Sequence, residues 1–158
     1  VRILGGDGAE AVIPAAELGL AYRDSRFKRP GANGMPELVI EATFHLTPAD
    51  DATIKERLDD IRRWRQAHQP LGLPSAGSVF RNPPAGPSAG ALIEAAGLKG
   101  RTIGGAEVST MHANWILNRG GATAAAIREL HNLCIREVQQ HAGLTLESEI
   151  QFIGEEPA

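Results

Sequence analysis

The sequence predicts an α+β fold on three observations. Short apolar runs bounded by Gly and Pro read as strands, two longer stretches carry apolar residues at helical spacing, and the composition shifts at Thr47-Pro48. The chain has 158 residues, 16 Lys+Arg against 19 Asp+Glu, and 42% hydrophobic residues. That is the composition of a soluble globular protein, with room for one domain or one and part of another. No run approaches the ~18 apolar residues of a membrane span, and no charged-then-apolar signal segment opens the chain. One cysteine, Cys134, cannot form an internal disulfide, so a cytoplasmic setting is expected. The mildly acidic balance argues against wrapping nucleic acid.

Taken in order, Val1-Arg2-Ile3-Leu4 reads as a strand already under way, so earlier strands of its sheet are expected before it. Gly5-Gly6-Asp7-Gly8 is a turn, and Ala11-Val12-Ile13-Pro14 the return strand of a hairpin. Leu18 to Ser25 suits a loop or short helix, and Gly31 to Gly34, between Pro30 and Pro36, a loop tip. Leu38 to Leu46 has the β-branched content of a strand. Thr47–Asp50 is read as a domain junction. From Asp50 to about Gln69, Ile54, Leu58, Ile61 and Trp64 recur at helical spacing, with Asp50 or Asp51 as cap. Lys55, Arg57, Arg62, Arg63 and Arg65 are interleaved with Glu56, Asp59 and Asp60, which makes a solvated face rather than an anion site. Pro70 to Pro87 is nearly all turn chemistry, and a loop of that length is either functional or disordered. Ser88 caps a helix that Gly97 closes. Ile103–Ser109 and Trp115–Asn118 read as strands around a turn. Thr123 caps a last helix with the stripe Ile127, Leu130, Leu133, Cys134 and Val138, and Leu146 to Ile153 is a final strand.

The five histidines have no metal-ligand spacing and read as surface or edge residues. Cys134, in mid-stripe, reads as a buried small hydrophobe. In Gly77-Ser78-Val79-Phe80-Arg81-Asn82-Pro83, a glycine permits close backbone approach, Ser78 offers a proton and Asn82 an amide. A plain turn stabilised by Ser and Asn is the alternative. Gly104-Gly105 offers backbone N–H groups suited to phosphate.

Tyr22-Arg23-Asp24-Ser25 and Gly77 to Pro83 resemble two motifs of the UDP-N-acetylenolpyruvoylglucosamine reductase family. Further matches follow in the same order: Ala89 to Gly100, Ile103 to Ser109 with His112-Ala113-Asn114, and Leu146 to Glu155. The resemblance covers nearly the whole chain. It implies the tail of an FAD-binding lobe over residues 1–47, an α+β substrate-binding domain over 48–144, and a return strand towards the flavin over 145–158. The family's first lobe and its pyrophosphate loop are expected upstream of Val1.

The resemblance also implies chemistry. NADPH reduces FAD, and hydride then passes to the enolpyruvyl methylene carbon of a UDP-sugar, in cell-wall peptidoglycan synthesis. Arg23 matches the arginine that meets the charge developing towards the substrate carboxylate. Glu149 matches a glutamate that assists when protonated or hydrogen-bonded, since a bare carboxylate would repel the charge, and Glu147, two positions away on the same face, is its fallback. Ser78 matches the proton donor to the adjacent carbon. Asn82 matches a substrate-contacting asparagine and Tyr22 is placed at the substrate with it; beyond the resemblance, Gln69 and Arg81 are candidate substrate contacts, and Glu107 is a further candidate that serves equally as a turn cap. Gly77 and Gln151 are placed at the cofactor, Gln151 standing where many members carry arginine. The chain resembles the subfamily without an inserted tyrosine loop. A UDP-sugar-binding module without flavin is the competing class, as is an inactive fragment.

Overall fold

The computed structural model describes residues 1–31 and 34–154. Ala32 and Asn33 of the expected loop tip, and Glu155 of the last motif, lie outside them. The chain divides into two compact units, Val1–Asp50 and Asp51–Ala158.

The first unit is a three-stranded antiparallel sheet in the order β2-β1-β3, from β1 (Arg2–Leu4), β2 (Glu10–Val12) and β3 (Leu38–Glu41). Arg2, on the central strand, joins both neighbours by reaching Glu10 at 3.1 Å and Glu41 at 2.8 Å. Ile3 and Leu18 are its buried hydrophobic residues among those described. The strand expected over Leu38 to Leu46 ends at Glu41, where its register with Arg2 ends, and Phe44 and Leu46 are exposed.

The second unit opens with α1 (Asp51–His68) and continues through β4 (Ser75–Ser78), α2 (Ala89–Ala95), β5 (Thr102–Ile103), β6 (Ala106–Val108), β7 (Trp115–Asn118) and α3 (Ala124–Ala142). Its four strands form an antiparallel sheet in the order β4-β7-β6-β5. Ser88 accepts a hydrogen bond from Ala91 N at 3.2 Å and Thr123 one from Ala126 N at 3.1 Å, so both helices start at the capping residues the sequence predicts. Ala106, Val108 and Ile116 point from the sheet into a core shared with Ile93 of α2 and Leu130, Cys134 and Val138 of α3. Burial pushes the Cys134 thiol up to about 12, in keeping with an inert packing residue.

Four expectations are corrected. The long loop from Pro70 contains β4, held by pairing with β7 rather than by propensity. Among the described residues, the final strand over Leu146 to Ile153 reduces to a single bridge, Phe80 to Ser148. Gly104-Gly105 is the β5–β6 hairpin turn. A Cβ on Gly105 would stand 2.2 Å from Gly120 O, so close packing of the 119–122 turn explains the glycine, with no phosphate needed. The stripe of α1 forms at the expected spacing yet is exposed, from 43% at Ile54 to 57% at Trp64.

Candidate functional site

Direct cross-strand partners point to the same face of a sheet. Ser75 pairs with Leu117 and Leu117 with Glu107, while Ser78 pairs with Trp115. Trp115 and Leu117, two apart on β7, share a side. Ser78 and Glu107 therefore lie on one face, opposite the one that carries Val108 and Ile116 into the core beneath α3. The polar candidates gather on this face, opposite the core beneath α3.

Gly77 shapes the end of β4. Its φ of +81° lies in the left-handed region that favours glycine, at a register shift between Ser75 and Ser78. The backbone after Ser78 is then pinned by a residue to which the sequence reading gave no role. Asn114 is 4% exposed; its Oδ1 accepts from Phe80 N at 2.9 Å, its Nδ2 donates to Phe80 O at 2.8 Å, and its own carbonyl accepts from Val79 N at 2.9 Å.

From the other side, Glu149 N donates to Val79 O at 2.8 Å and Arg81 N to Glu147 O at 2.9 Å. The residues next to Ser78 thus hold the segment that carries Glu149. The two candidate carboxylates differ in surroundings. Glu147 is 75% exposed at its side chain and stands 3.7 Å from Arg81 Nη1, whereas Glu149 is half-buried beside Val79.

Gln69 and Glu107, assigned separately to the substrate, line one cavity of about 250 Å³ together with Gln66, Leu73, Ser109 and Arg119. Glu107 is no turn cap, since its carboxylate accepts from Arg119 Nε at 3.1 Å. Gln69 Oε1 accepts from Arg65 Nε at 3.1 Å. Asn82 and Arg81 line a smaller cavity of about 130 Å³ with Pro83, Leu144, Leu146 and Glu147. Asn82 Oδ1 accepts from Ala89 N at 3.0 Å at the start of α2, so half of this amide is committed to structure. Gln151 is exposed.

Tyr22 and Arg23 belong to the first unit. They occupy the tip of a tight turn closed by Ala21 N to Asp24 O at 3.0 Å and Asp24 N to Ala21 O at 3.2 Å. Arg23 has φ 54°, which for a residue with a side chain costs about 1–2 kcal/mol. Its carbonyl accepts from Lys28 Nζ at 2.6 Å, and its guanidinium lies 5.8 Å from the Tyr22 ring centroid.

The histidines are not all peripheral. His131 is 6% exposed, stacked 4.8 Å from Phe80 and edge-on to Phe152 at 5.4 Å. Burial lowers its pKa from the ordinary value, and the Arg128 charge acts in the same direction. The signal was present in the sequence: position 131 falls on the α3 stripe, one residue after Leu130 and three before Cys134.

Comparison with known proteins follows this geometry closely. The family model described as UDP-N-acetylenolpyruvoylglucosamine reductase, C-terminal domain, matches residues 69–153, which include Gln69, Ser78, Glu107 and Glu149. A UDP-N-acetylenolpyruvoylglucosamine reductase of Chloroflexus aggregans is 49% identical over 93% of this chain and 49% of its own length. One of Moorella thermoacetica is 43% identical over 98% of this chain and 49% of its own. The crystal structure of UDP-N-acetylenolpyruvylglucosamine reductase from Thermus caldophilus superposes with a TM-score of 0.75 at 36% identity, covering 95% of this chain and 50% of that one. The chain spans about half the length of the relatives it matches. On these matches, it belongs to the UDP-N-acetylenolpyruvoylglucosamine reductase family.

Proposed function

We propose that the protein to which this chain belongs is an FAD-dependent oxidoreductase of the cytoplasm. It uses NADPH to reduce UDP-N-acetylglucosamine enolpyruvate to UDP-N-acetylmuramate, a step of peptidoglycan synthesis. The observation that carries the reading is the placement of Ser78 on the same sheet face as Glu107 and its cavity, with Glu149 tied to the next residue, Val79. The relatives, named as UDP-N-acetylenolpyruvoylglucosamine reductases, support the same reaction class.

FAD, when bound, supplies the hydride that reaches the methylene carbon of the substrate. This chain would offer it Gly77 and Gln151. A Cβ added at Gly77 meets nothing within 4 Å and Gln151 is exposed, so both are open to a flat ring. As hydride adds, the electron pair of the double bond moves towards the substrate carboxylate. Arg23 meets that charge with its fork of donors, and its left-handed backbone is the strain expected of a residue held for function. Glu149 assists at the developing charge; a bare carboxylate there would repel it, so the role requires a proton or a hydrogen bond on that carboxylate. Ser78 Oγ–H then transfers its proton to the adjacent carbon, and solvent returns a proton to the serine.

Gln69 and Glu107 bind within a cavity too small for a whole UDP-sugar, and suit one portion of it. Asn82 keeps its amide N–H group for the substrate, and Tyr22 and Arg81 complete the contacts. In the full-length protein, Ser78→Ala is expected to slow reoxidation of the reduced flavin by substrate at least ~100-fold, with flavin reduction by NADPH within about twofold of wild type. Equal slowing of both half-reactions removes Ser78 from the proton transfer. A colourless full-length protein that still binds the UDP-sugar identifies a flavin-free binding module instead.

A further inference from the structure

We propose that His131 is a positioning residue that sets the spacing between Ser78 and Glu149, acting through the two phenylalanines it separates. The inference rests on the reaction proposed above for the roles of those two residues, but its geometry stands alone. His131 projects from α3 into the core. One face of its ring stacks on Phe80 at 4.8 Å with 24° between planes, and Phe152 meets it edge-on at 5.4 Å and 85°. Phe80 lies two residues after Ser78, and Phe152 three after Glu149. Each ring therefore anchors one of the two segments, and the imidazole is the body between them.

The rest of the arrangement is rigid around this wedge. Asn114 fixes both backbone polar groups of Phe80, and the Phe80–Ser148 bridge joins the segments directly. Arg128, one turn earlier on α3, lies 4.3 Å from the Phe152 ring centroid and holds its other flank. His131 Nδ1 stands 3.0 Å from Asn132 Oδ1, and Nε2 is buried without a hydrogen-bond partner. A core selected for stability alone gains from an aliphatic side chain here, because a buried polar atom left unpaired costs about 1–3 kcal/mol. A flat ring is what the two flanking aromatics require. Offset and edge-to-face contacts fix separation and angle in a way that a branched aliphatic does not.

Two variants of the full-length protein test this. His131→Phe keeps the flat ring and discards the unpaired nitrogen. His131→Leu keeps an apolar core residue and discards the ring. The Leu variant is expected to fold with a Tm no lower than wild type, yet to show about tenfold faster amide exchange over 78–82 and 147–152. Its kcat for substrate reduction is expected to fall about tenfold or more, with KM within about threefold and flavin reduction by NADPH unchanged. The Phe variant is expected to stay within about twofold of wild type in all of these. Wild-type exchange and kcat in the Leu variant overturn the proposal, and so does a loss in the Phe variant equal to that in Leu. A wild-type protein that proves not to be a reductase removes the reaction assigned above, and the exchange of the two segments then decides the role of His131 by itself.

Discussion

At the residue scale, the placement of Ser78 depends on an amide side chain 34 positions beyond Phe80, the residue it holds. Asn114 presents acceptor and donor to the two backbone groups of Phe80, in a setting that excludes water from both. Asn114→Leu fills similar space and orphans a buried N–H and a buried C=O. The expected loss is about 3 kcal/mol, read as a lower urea midpoint at unchanged m-value. Asn114→Asp retains the acceptor for Phe80 N and is expected to lose less. Equal stability of the Leu variant and wild type would falsify this account of the pin.

The two inward histidines carry a second consequence. Burial lowers the pKa of His131, and of His112 as well, below the usual 6.5. The unfolded chain then takes up protons before the folded one does. Stability is fully present above about 6.5 and declines as pH falls from there through the folded-state values. A Tm lower at pH 5.5 than at pH 7.5, with a smaller drop in His131→Phe, is the expected result. An equal drop in both proteins assigns the slope to other groups.

At the scale of elements, legibility followed local chemistry. α2 and α3 were readable because Ser88 and Thr123 cap them and the α3 stripe meets a core. Strand β4 was not, since Ser75-Ala76-Gly77-Ser78 has low β propensity and becomes a strand only through Leu117 and Trp115 opposite it. The reverse holds at Leu146 to Ile153, whose apolar residues suggest a strand but which, among the described residues, forms one bridge. Helix α1 shows the limit of periodicity. The stripe Ile54, Leu58, Ile61 and Trp64 fixes the element type but not what covers it, and these side chains stand 43–57% exposed. The candidate site residues follow the same division. Ser78 and Asn82 were visible in a motif with reactive groups, whereas Asn114 and His131 act by pinning and stacking, which need the partner segment to be seen.

At the scale of the molecule, the two units differ in what they bury, and this sets how the chain unfolds. Residues 51–158 enclose the core between α2, α3 and the four-stranded sheet, with Phe80, Ile93, Leu130 and Val138 at 0–1% exposure. In residues 1–50 the buried hydrophobics among those described are Ile3 and Leu18, and Leu38, Val39 and Ile40 of β3 are at least 42% exposed. A three-stranded sheet with so little apolar burial falls below what a domain of about 50 residues needs to fold alone. Helix α1 buries no residue, and most helical stability in proteins comes from tertiary packing of an apolar face. Amide exchange in the 158-residue chain should therefore find its slowest amides in β6, β7 and α3, with α1 and β1–β3 exchanging early. A polypeptide of residues 51–158 is expected to unfold in one cooperative transition, whereas residues 1–50 alone show no sheet by circular dichroism. Slow exchange in β1–β3 equal to that of α3 would mean the first unit draws stability from interactions beyond its own two buried side chains.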